Sequence, residues 1–109
     1  MSDNEQDYTI TLSADEIDKL IHEPARLMIM AYLYVVESAD FLFLRSQTDL
    51  TWGNLSSHLN KLEKAGYIEV EKEFVERKPR TMLHLTETGR QAFRDYRARM
   101  AQMFADLPE

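Results

Sequence analysis

Small hydroxyl, amide and ammonium side chains lie at helical spacing between Thr51 and Tyr67. Leu55, Leu59 and Leu62 recur four and three residues apart, which places them on one side of an α-helix. The opposite side carries a small, polar and cationic set: Gly53, Ser57, Asn60, Lys61 and Lys64. Such groups can donate hydrogen bonds to base edges and neutralise phosphates in a DNA groove. Taken alone, the pattern also suits a solvated surface helix.

A second group of cations lies further along the chain, where Arg77, Lys78 and Arg80 surround Pro79. Because proline restricts the backbone, the sequence predicts a stiff, basic turn over residues 76–81. Arginine side chains on such a turn suit phosphates or a minor groove, where the negative potential is strong. The alternative is a solvated charged turn.

The sequence contains few signs of a catalytic or metal-binding site. The chain has no cysteine, and its three histidines, His22, His58 and His84, lack metal-ligand spacing. Ser56 and Ser57 adjoin His58, but adjacent residues of a helix point in different directions and form no catalytic triad. With three glycines, the chain also lacks a glycine-rich phosphate loop. We therefore expect no enzymatic activity, no cofactor and no metal.

The net charge of −6 is unevenly distributed. Residues 1–49 hold 10 acidic and 3 basic side chains, whereas residues 50–109 hold 9 acidic and 10 basic ones. Because DNA affinity depends on local neutralisation of phosphates, an acidic total is compatible with binding if the basic surface is contiguous. No apolar stretch approaches the roughly 20 residues that span a bilayer. We expect a cytoplasmic protein without a membrane partner.

The elements that would position these groups follow from capping residues and periodicity. Ser13 and Glu16 form a capping-box pattern, which predicts a short first helix through Ile21. Pro24 suits the first turn of a second helix, which is apolar nearly all round and is therefore expected at the centre of the domain. After a break, Asp40 can cap a third, short helix.

The polar helix is expected to begin after Thr51 and to end at Gly66. The period then changes from 3.6 to two, which predicts a half-buried strand with alternating glutamates on its other face. The apolar face of this strand consists of Ile68, Val70 and Phe74. A second strand at residues 81–85 completes a hairpin, and Thr86 caps the last helix.

The last helix, expected over residues 86–109, carries an apolar seam with spacings of 3, 4, 3 and 4 residues. Its members are Phe93, Tyr96, Met100, Met103 and Leu107. Little of the domain remains to cover such a seam, so it predicts a homodimer. The alternative is packing against the first helix at Ile17 and Leu20. The dimer and the packing against the first helix are compatible if the terminal helices of two protomers associate. Ile17 and Leu20 would then lie in the dimer interface as well.

Three stretches in order, LIHEPARLMIMAYL, LTWGNLSSHLNKLEKAGYIEVEKEF and RKPRTMLHLTETGRQAF, resemble winged helix-turn-helix transcription regulators of the MarR and ArsR kind. The resemblance implies an α+β, mostly helical fold with a two-stranded β-hairpin wing and a C-terminal dimerisation helix. Since the first cap is Ser13, we expect a flexible arm at 1–12 and one winged-helix domain at 13–109. Together with the homodimer that the seam predicts, the resemblance implies a protein that binds double-stranded DNA, with residues 51–65 as the recognition helix in the major groove.

The resemblance assigns DNA contacts to two sets of residues. They are Thr51, Asn54, Ser56, Ser57, Asn60, Lys61 and Lys64 on the recognition helix, and Arg77, Lys78 and Arg80 on the wing. Several have competing roles: Thr51 as a cap alone, Ser56 as a space filler, and His58 as a packed histidine. Trp52 departs from the small or polar residue expected at its position, and could pack on the sugar-phosphate backbone or fill a gap beside Leu50.

Two other functional hypotheses remain. The acidic total leaves open a winged-helix module for protein–protein interaction with little DNA affinity. A small-molecule effector could occupy a pocket lined by Met28, Tyr32, Phe93 or Tyr96, but a methionine-rich core is the preferred interpretation of those residues.

Overall fold

The computed structural model describes residues 9–109, in which helices pack with one three-stranded antiparallel sheet. A single turn of 3-10 helix at Ala14–Glu16 comes first. The later elements are α1 (Pro24–Val36), β1 (Ser38–Asp40), α2 (Phe41–Thr48), α3 (Trp52–Lys64), β2 (Ile68–Val75), β3 (Lys78–Leu85) and α4 (Glu87–Ala105). The predicted α+β fold, mostly helical with a β-hairpin wing and a C-terminal helix, is confirmed.

The predicted first helix is wrong beyond one turn. The Ser13–Glu16 capping box forms, with the glutamate carboxylate accepting from the serine N–H at 3.0 Å. However, Ile17 already has an extended backbone. The Oδ1 atom of Asp18 then accepts the N–H groups of Leu20 and Ile21 at 2.9 and 3.1 Å. An aspartate that bonds nearby N–H groups in this way competes with helix formation, so the segment turns instead of continuing.

Helix α1 forms the centre of the core, as predicted, although it is not buried all round. Ile29, Met30 and Leu33 are completely buried. Met28 and Val35 lie on another face and are 47% and 79% exposed. The helix begins where predicted because Pro24 occupies its first turn and the preceding glutamate caps it.

Strand β3 is the central strand of the sheet, with β1 on one side and β2 on the other. Residues 38–40 were expected as a break, but they pair with β3, and Ala39 opposite Leu83 is only 6% exposed. Three residues are too few to show a period of two. Cross-strand pairing defines the outer face of the hairpin as Glu69, Glu71, Glu73, Arg80, Met82 and His84. The inner face carries Ile68, Val70, Lys72, Phe74, Pro79, Thr81, Leu83 and Leu85.

The start of α4 is hydrogen-bonded to the turn that follows α3. The Thr86 N–H donates to the Tyr67 carbonyl at 3.0 Å, and the Thr86 hydroxyl donates to the Gly66 carbonyl. Gly89 is buried, and a Cβ atom built on it would lie 2.0 Å from the Tyr67 carbonyl oxygen. The Leu-Thr-x-x-Gly stretch therefore has a structural role. Thr86 caps α4, and Gly89 lets the start of α4 lie close to the backbone of Tyr67.

Tyr67 also holds the N-terminal segment in place, since its hydroxyl donates to Asp18. Burial, together with this hydrogen bond to a carboxylate, raises the pKa of Tyr67 to about 12. The phenol therefore remains a hydrogen-bond donor throughout the neutral pH range.

The first half of the predicted α4 seam packs within its own domain. Tyr96 is 8% exposed, and Phe93 stacks obliquely on Tyr34 with ring centroids 5.3 Å apart. Met100 also packs against the core, as do Ile17 and Leu20. The alternative expected for the seam, packing on the residues before α1, therefore accounts for these side chains. Large apolar side chains remain exposed at the end of α4, with Phe104 at 61%, and just after it, with Leu107 at 46%. The helix ends at Ala105, so the prediction that Leu107 is part of the helical seam is wrong.

Part of the predicted N-terminal arm, residues 1–8, lies outside the described residues. The segment that follows is tied to the end of α4, because the N–H and hydroxyl of Thr11 donate to Asp106 Oδ2 at 3.3 and 3.2 Å. The backbone hydrogen bond from Thr11, supported by one from Gln102, lowers the pKa of Asp106 below its ordinary value. Within residues 9–109, none of the helices has the length and apolar character that crossing a membrane requires.

Candidate nucleic-acid interface

Helices α2 and α3 form a helix-turn-helix unit. Helix α2 ends at Thr48, and its C-cap residue Asp49 adopts a left-handed conformation with φ of 56°. Thr51 then caps α3, its hydroxyl accepting the Asn54 N–H at 3.2 Å. Leu55, Leu59 and Leu62 are buried as their spacing predicted. These leucines fix which side of α3 faces outward.

The predicted contact residues of α3 are all exposed, and the exposed surface of the helix divides into two stripes. One stripe faces the sheet and lines the groove beside it: Trp52, Ser56, Asn60 and Glu63. By helical spacing, the other stripe points away from the core: Gly53, Ser57, Lys61 and Lys64. Ser56 is exposed at the edge of the groove, so it does not fill space in the core.

His58 has a structural environment. Its Nδ1 atom lies 3.1 Å from Nη1 of the buried Arg26 and 3.9 Å from Oε1 of Glu23. Arg26 also donates from Nε to the Leu20 carbonyl at 2.6 Å. His58 therefore links α3 to the start of α1, in agreement with its interpretation as a packed histidine.

Trp52 packs on Phe41 of α2, with ring centroids 4.5 Å apart, and Arg45 lies over its ring at 5.9 Å. The side chain nevertheless remains 58% exposed at the mouth of the groove. Its contact is therefore with Phe41 and Arg45 at the rim, and its free face is available to a ligand.

The turn of the wing differs from the prediction. The turn residues are Glu76 and Arg77, with φ of 53° and 68°, whereas Pro79 lies inside β3 opposite Phe74. Pro79 therefore does not stiffen the turn. Lys78 is the first residue of β3 and pairs with Val75.

Arg80 is also inside β3, where its Nε atom lies 3.7 Å from Asp40 Oδ2. It pairs across the hairpin with Glu73 on the outer face. Its charge is therefore partly compensated by Asp40, whereas the prediction treated it as a free cation on the turn. The exposed cation of the turn itself is Arg77.

A groove of about 790 Å³ separates α3 from the inner face of the wing. Its floor includes the apolar residues Leu59, Val70 and Leu83. Its polar lining includes Ser56, Asn60, Glu63, Lys72 and Thr81. Sequence reasoning missed Lys72 and Thr81. The available signal was that Lys72 shares the parity of Ile68 and Val70, which brings a cation onto the inner face.

The four residues of the suggested effector pocket have separate environments. Tyr96 is in the core, Phe93 packs on Tyr34, Tyr32 meets Phe43 edge to face, and Met28 is exposed. The core interpretation holds for Tyr96 and for Tyr32 and Phe93, which pack against the core, but it is wrong for Met28, which is exposed on α1.

The hydrogen bond of Thr51 leads to a prediction about its capping role. Thr51→Ala should lower the free energy of unfolding by about 1 kcal/mol, because the Asn54 N–H loses its partner. Thr51→Ser should retain most of the stability. Urea unfolding of both variants measures the difference, and equal stability of the two would contradict the capping role.

The left-handed turn of the wing leads to a second prediction. Arg77→Gly should raise the free energy of unfolding by about 1 kcal/mol, because glycine adopts the φ of 68° without steric cost. Lys78→Gly is the matched control, since it removes a neighbouring cation from a β-strand and should destabilise the protein. Thermal unfolding compares the two; a loss of stability in Arg77→Gly would contradict the turn geometry.

Comparison with known proteins identifies the fold independently. A family model described as a winged helix DNA-binding domain matches residues 25–104. An uncharacterized protein of Methanocaldococcus jannaschii is 35% identical over 89 residues, which cover 82% of this chain and 97% of that protein.

Solved structures give the same result. A transcriptional regulator homologue from Pyrococcus horikoshii matches with a TM-score of 0.78 at 30% identity, covering 83% of this chain and 89% of that one. The PcaV transcriptional regulator from Streptomyces coelicolor matches with a TM-score of 0.70, covering 96% and 76%. At 17% identity, the second likeness shows the fold alone.

Proposed function

The chain belongs to the winged helix DNA-binding domain family, and from that premise we propose that it is a transcription regulator that binds double-stranded DNA as a homodimer. In this proposal α3 enters the major groove and the wing contacts the adjacent backbone or minor groove. The observation that carries it is the polar stripe of α3 beside the wing groove, which leaves both surfaces open on the same side of the domain.

The outward stripe of α3 supports direct contact with bases and phosphates. Ser57 on this stripe and Asn60 on the neighbouring groove stripe can exchange hydrogen bonds with base edges, and Lys61 and Lys64 can neutralise phosphates. Their neighbour Gly53 adds no bulk, so the helix can approach closely. Asn54 lies near the start of the helix, where it can reach the backbone.

The groove between α3 and the wing supports passage of one sugar-phosphate strand. A helix in the major groove and a wing in the neighbouring minor groove must have a strand between them. Lys72 on the inner face offers a phosphate partner there, and Ser56 and Thr81 offer hydroxyls. The free face of Trp52 can pack on a sugar at the rim.

The wing contributes Arg77 and Lys78, whereas Arg80 acts in part by holding β3 to Asp40. The glutamates Glu69 and Glu71 lie on the outer face, away from the groove. An acidic outer face repels phosphates and therefore lowers the affinity. The steep dependence on salt is expected from the cationic contacts, because each phosphate that they neutralise releases counterions.

The end of α4 supports the homodimer. Phe104 in the last turn of α4 and Leu107 just beyond the helix are large apolar residues that are 61% and 46% exposed. Met103 beside them is half-buried. Pairing of these ends about a two-fold axis would let two α3 helices reach successive major grooves, about 34 Å apart.

Phe104→Glu should convert the dimer to a monomer, because the pairing would bury a carboxylate in an apolar interface. Ala98→Glu is the matched control: it adds the same charge to an exposed position of α4, about 120° around the helix. Sedimentation velocity distinguishes the species. A wild-type monomer at micromolar concentration would refute the dimer without touching the DNA proposal.

Selection of fragments from the source genome tests the proposed function itself. We expect enrichment of duplexes that contain two similar half-sites one helical turn apart. Equal recovery of all fragments at low salt would refute sequence-specific binding. The competing function, a protein–protein module, is favoured only by the net charge of −6, and would produce that negative result.

A further inference from the structure

The outer face of the sheet brings an imidazole and two carboxylates together. Glu69 and Glu71 are two residues apart on β2 and therefore point to the same side. His84 pairs with Glu69 across the hairpin, and its Nε2 atom lies 3.0 Å from Glu69 Oε2. One ligand atom from each of the three residues lies within 4.8 Å of the other two.

We propose that Glu69, Glu71 and His84 bind a divalent transition-metal ion of the zinc type. Zn²⁺ bonds imidazole nitrogen and carboxylate oxygen at about 2.0–2.2 Å, so tetrahedral ligands lie about 3.4 Å from one another. The observed spread of up to 4.8 Å needs only small side-chain rotations to reach that geometry. The nitrogen ligand favours Zn²⁺ over Mg²⁺ or Ca²⁺, which prefer oxygen alone. Water would complete the coordination.

The backbone holds these ligands in a rigid register. His84 is on the central strand, where it pairs with Glu69 on one side and Ser38 on the other. Its side chain is 28% exposed, so it is partly fixed yet open to an ion from solvent. A ligand set on paired strands loses little conformational freedom when the ion binds.

The position of Glu71 is the second observation in favour of a cation. Glu69 is accounted for by its hydrogen bond to His84, but the cross-strand neighbour of Glu71 is Met82. One strand further, Met82 pairs with Asp40, which is another acid. The cross-strand row of Glu71 therefore contains no base, and the arginine diagonal to it, Arg80, lies 3.7 Å from Asp40 instead. The carboxylate of Glu71 lies near that of Glu69. A dication would relieve this repulsion.

Isothermal titration with Zn²⁺ tests the site on the intact chain. We expect one saturable site in the wild type, with affinity at least about tenfold lower in both His84→Gln and Glu71→Gln. Glutamine at position 84 can still hydrogen-bond Glu69, so the hairpin should remain folded, which far-UV circular dichroism checks. Glu73→Gln is the matched control, since it removes the same charge from the same face, two residues beyond Glu71.

Two results would overturn the proposal. One is no saturable Zn²⁺ binding below 1 mM (about the limit of a useful site), or binding that His84→Gln leaves unchanged. The other is an equal loss of Zn²⁺ affinity in Glu73→Gln and Glu71→Gln, which would show that cations are attracted diffusely to an acidic face. The titration contains no DNA, so its outcome is independent of the proposed function. Line broadening by Mn²⁺ in NMR spectra, confined to residues around position 84, would locate the ion.

Discussion

Gly89→Ala should destabilise the protein by about 3 kcal/mol or more, the largest stability effect we expect from a single methyl group. A Cβ at this position would lie 2.0 Å from the carbonyl oxygen of Tyr67 and 2.8 Å from its carbonyl carbon. Both atoms belong to the backbone, so no side-chain rotation relieves the clash. The start of α4 would have to move, breaking the hydrogen bond from Thr86 to Tyr67. For a domain of this size, the melting temperature should fall by about 10–20 °C.

Gly53→Ala is the matched control for this substitution. A Cβ on Gly53 would meet no heavy atom of the described residues within 4 Å, and the position lies inside α3. Alanine favours helix over glycine, so stability should stay equal or rise by up to about 1 kcal/mol. Differential scanning calorimetry measures both variants. If Gly89→Ala melts at the same temperature as Gly53→Ala and the wild type, α4 does not approach Tyr67 as described.

Lys61→Ala should lower affinity for the selected DNA by about a hundredfold near 0.1 M salt. Each phosphate contact that is lost costs about tenfold at that salt concentration through counterion release, and a dimer loses two. The salt dependence should also become shallower, with the slope of log K against log salt changing by about 2. Lys61 is exposed on the outward stripe of α3, so its removal should not affect folding.

Lys19→Ala is the control, because it removes the same charge from an exposed residue outside α3 and the sheet. Its affinity and its salt slope should match those of the wild type. Fluorescence anisotropy with the same duplex compares the variants. An equal loss of affinity in both would mean that only the total charge matters, and that α3 is not the recognition helix.

Helix α3 was predictable because two strong local signals agree. Leucine periodicity set the buried side of α3, and Thr51 and Gly66 marked its ends. The capping hydrogen bond of Thr51 and the left-handed φ of 79° at Gly66 occur where these signals placed them. Which polar residues face the groove, however, depends on where the sheet lies, and that is a tertiary property.

The wing turn was misplaced for a chemical reason. Two-residue hairpin turns need positive φ and usually use asparagine or glycine. Here Glu76 and Arg77 adopt positive φ without either residue, so the strongest local signal was Pro79, two positions too late. Proline is tolerated inside β3 at a position opposite Phe74, close to the end of the hairpin.

Two further features depend on partners that sequence alone does not reveal. The α4 seam has the period of an interhelical contact, but periodicity does not say whether the contact is within the chain or with a second one. Tyr96 proved to be in the core, whereas Phe104 remains exposed. Likewise, Glu69 and His84 are 15 residues apart and meet only because of the β2–β3 register.

The most direct test of DNA recognition is the affinity of the wild-type chain for a selected duplex, compared with a scrambled duplex, across a salt series. The proposal predicts saturable binding at about 50 mM salt that weakens steeply toward about 200 mM, with the selected duplex bound at least about a thousandfold more tightly. Equal affinity for both duplexes, or no saturable binding at the lowest salt, would contradict it.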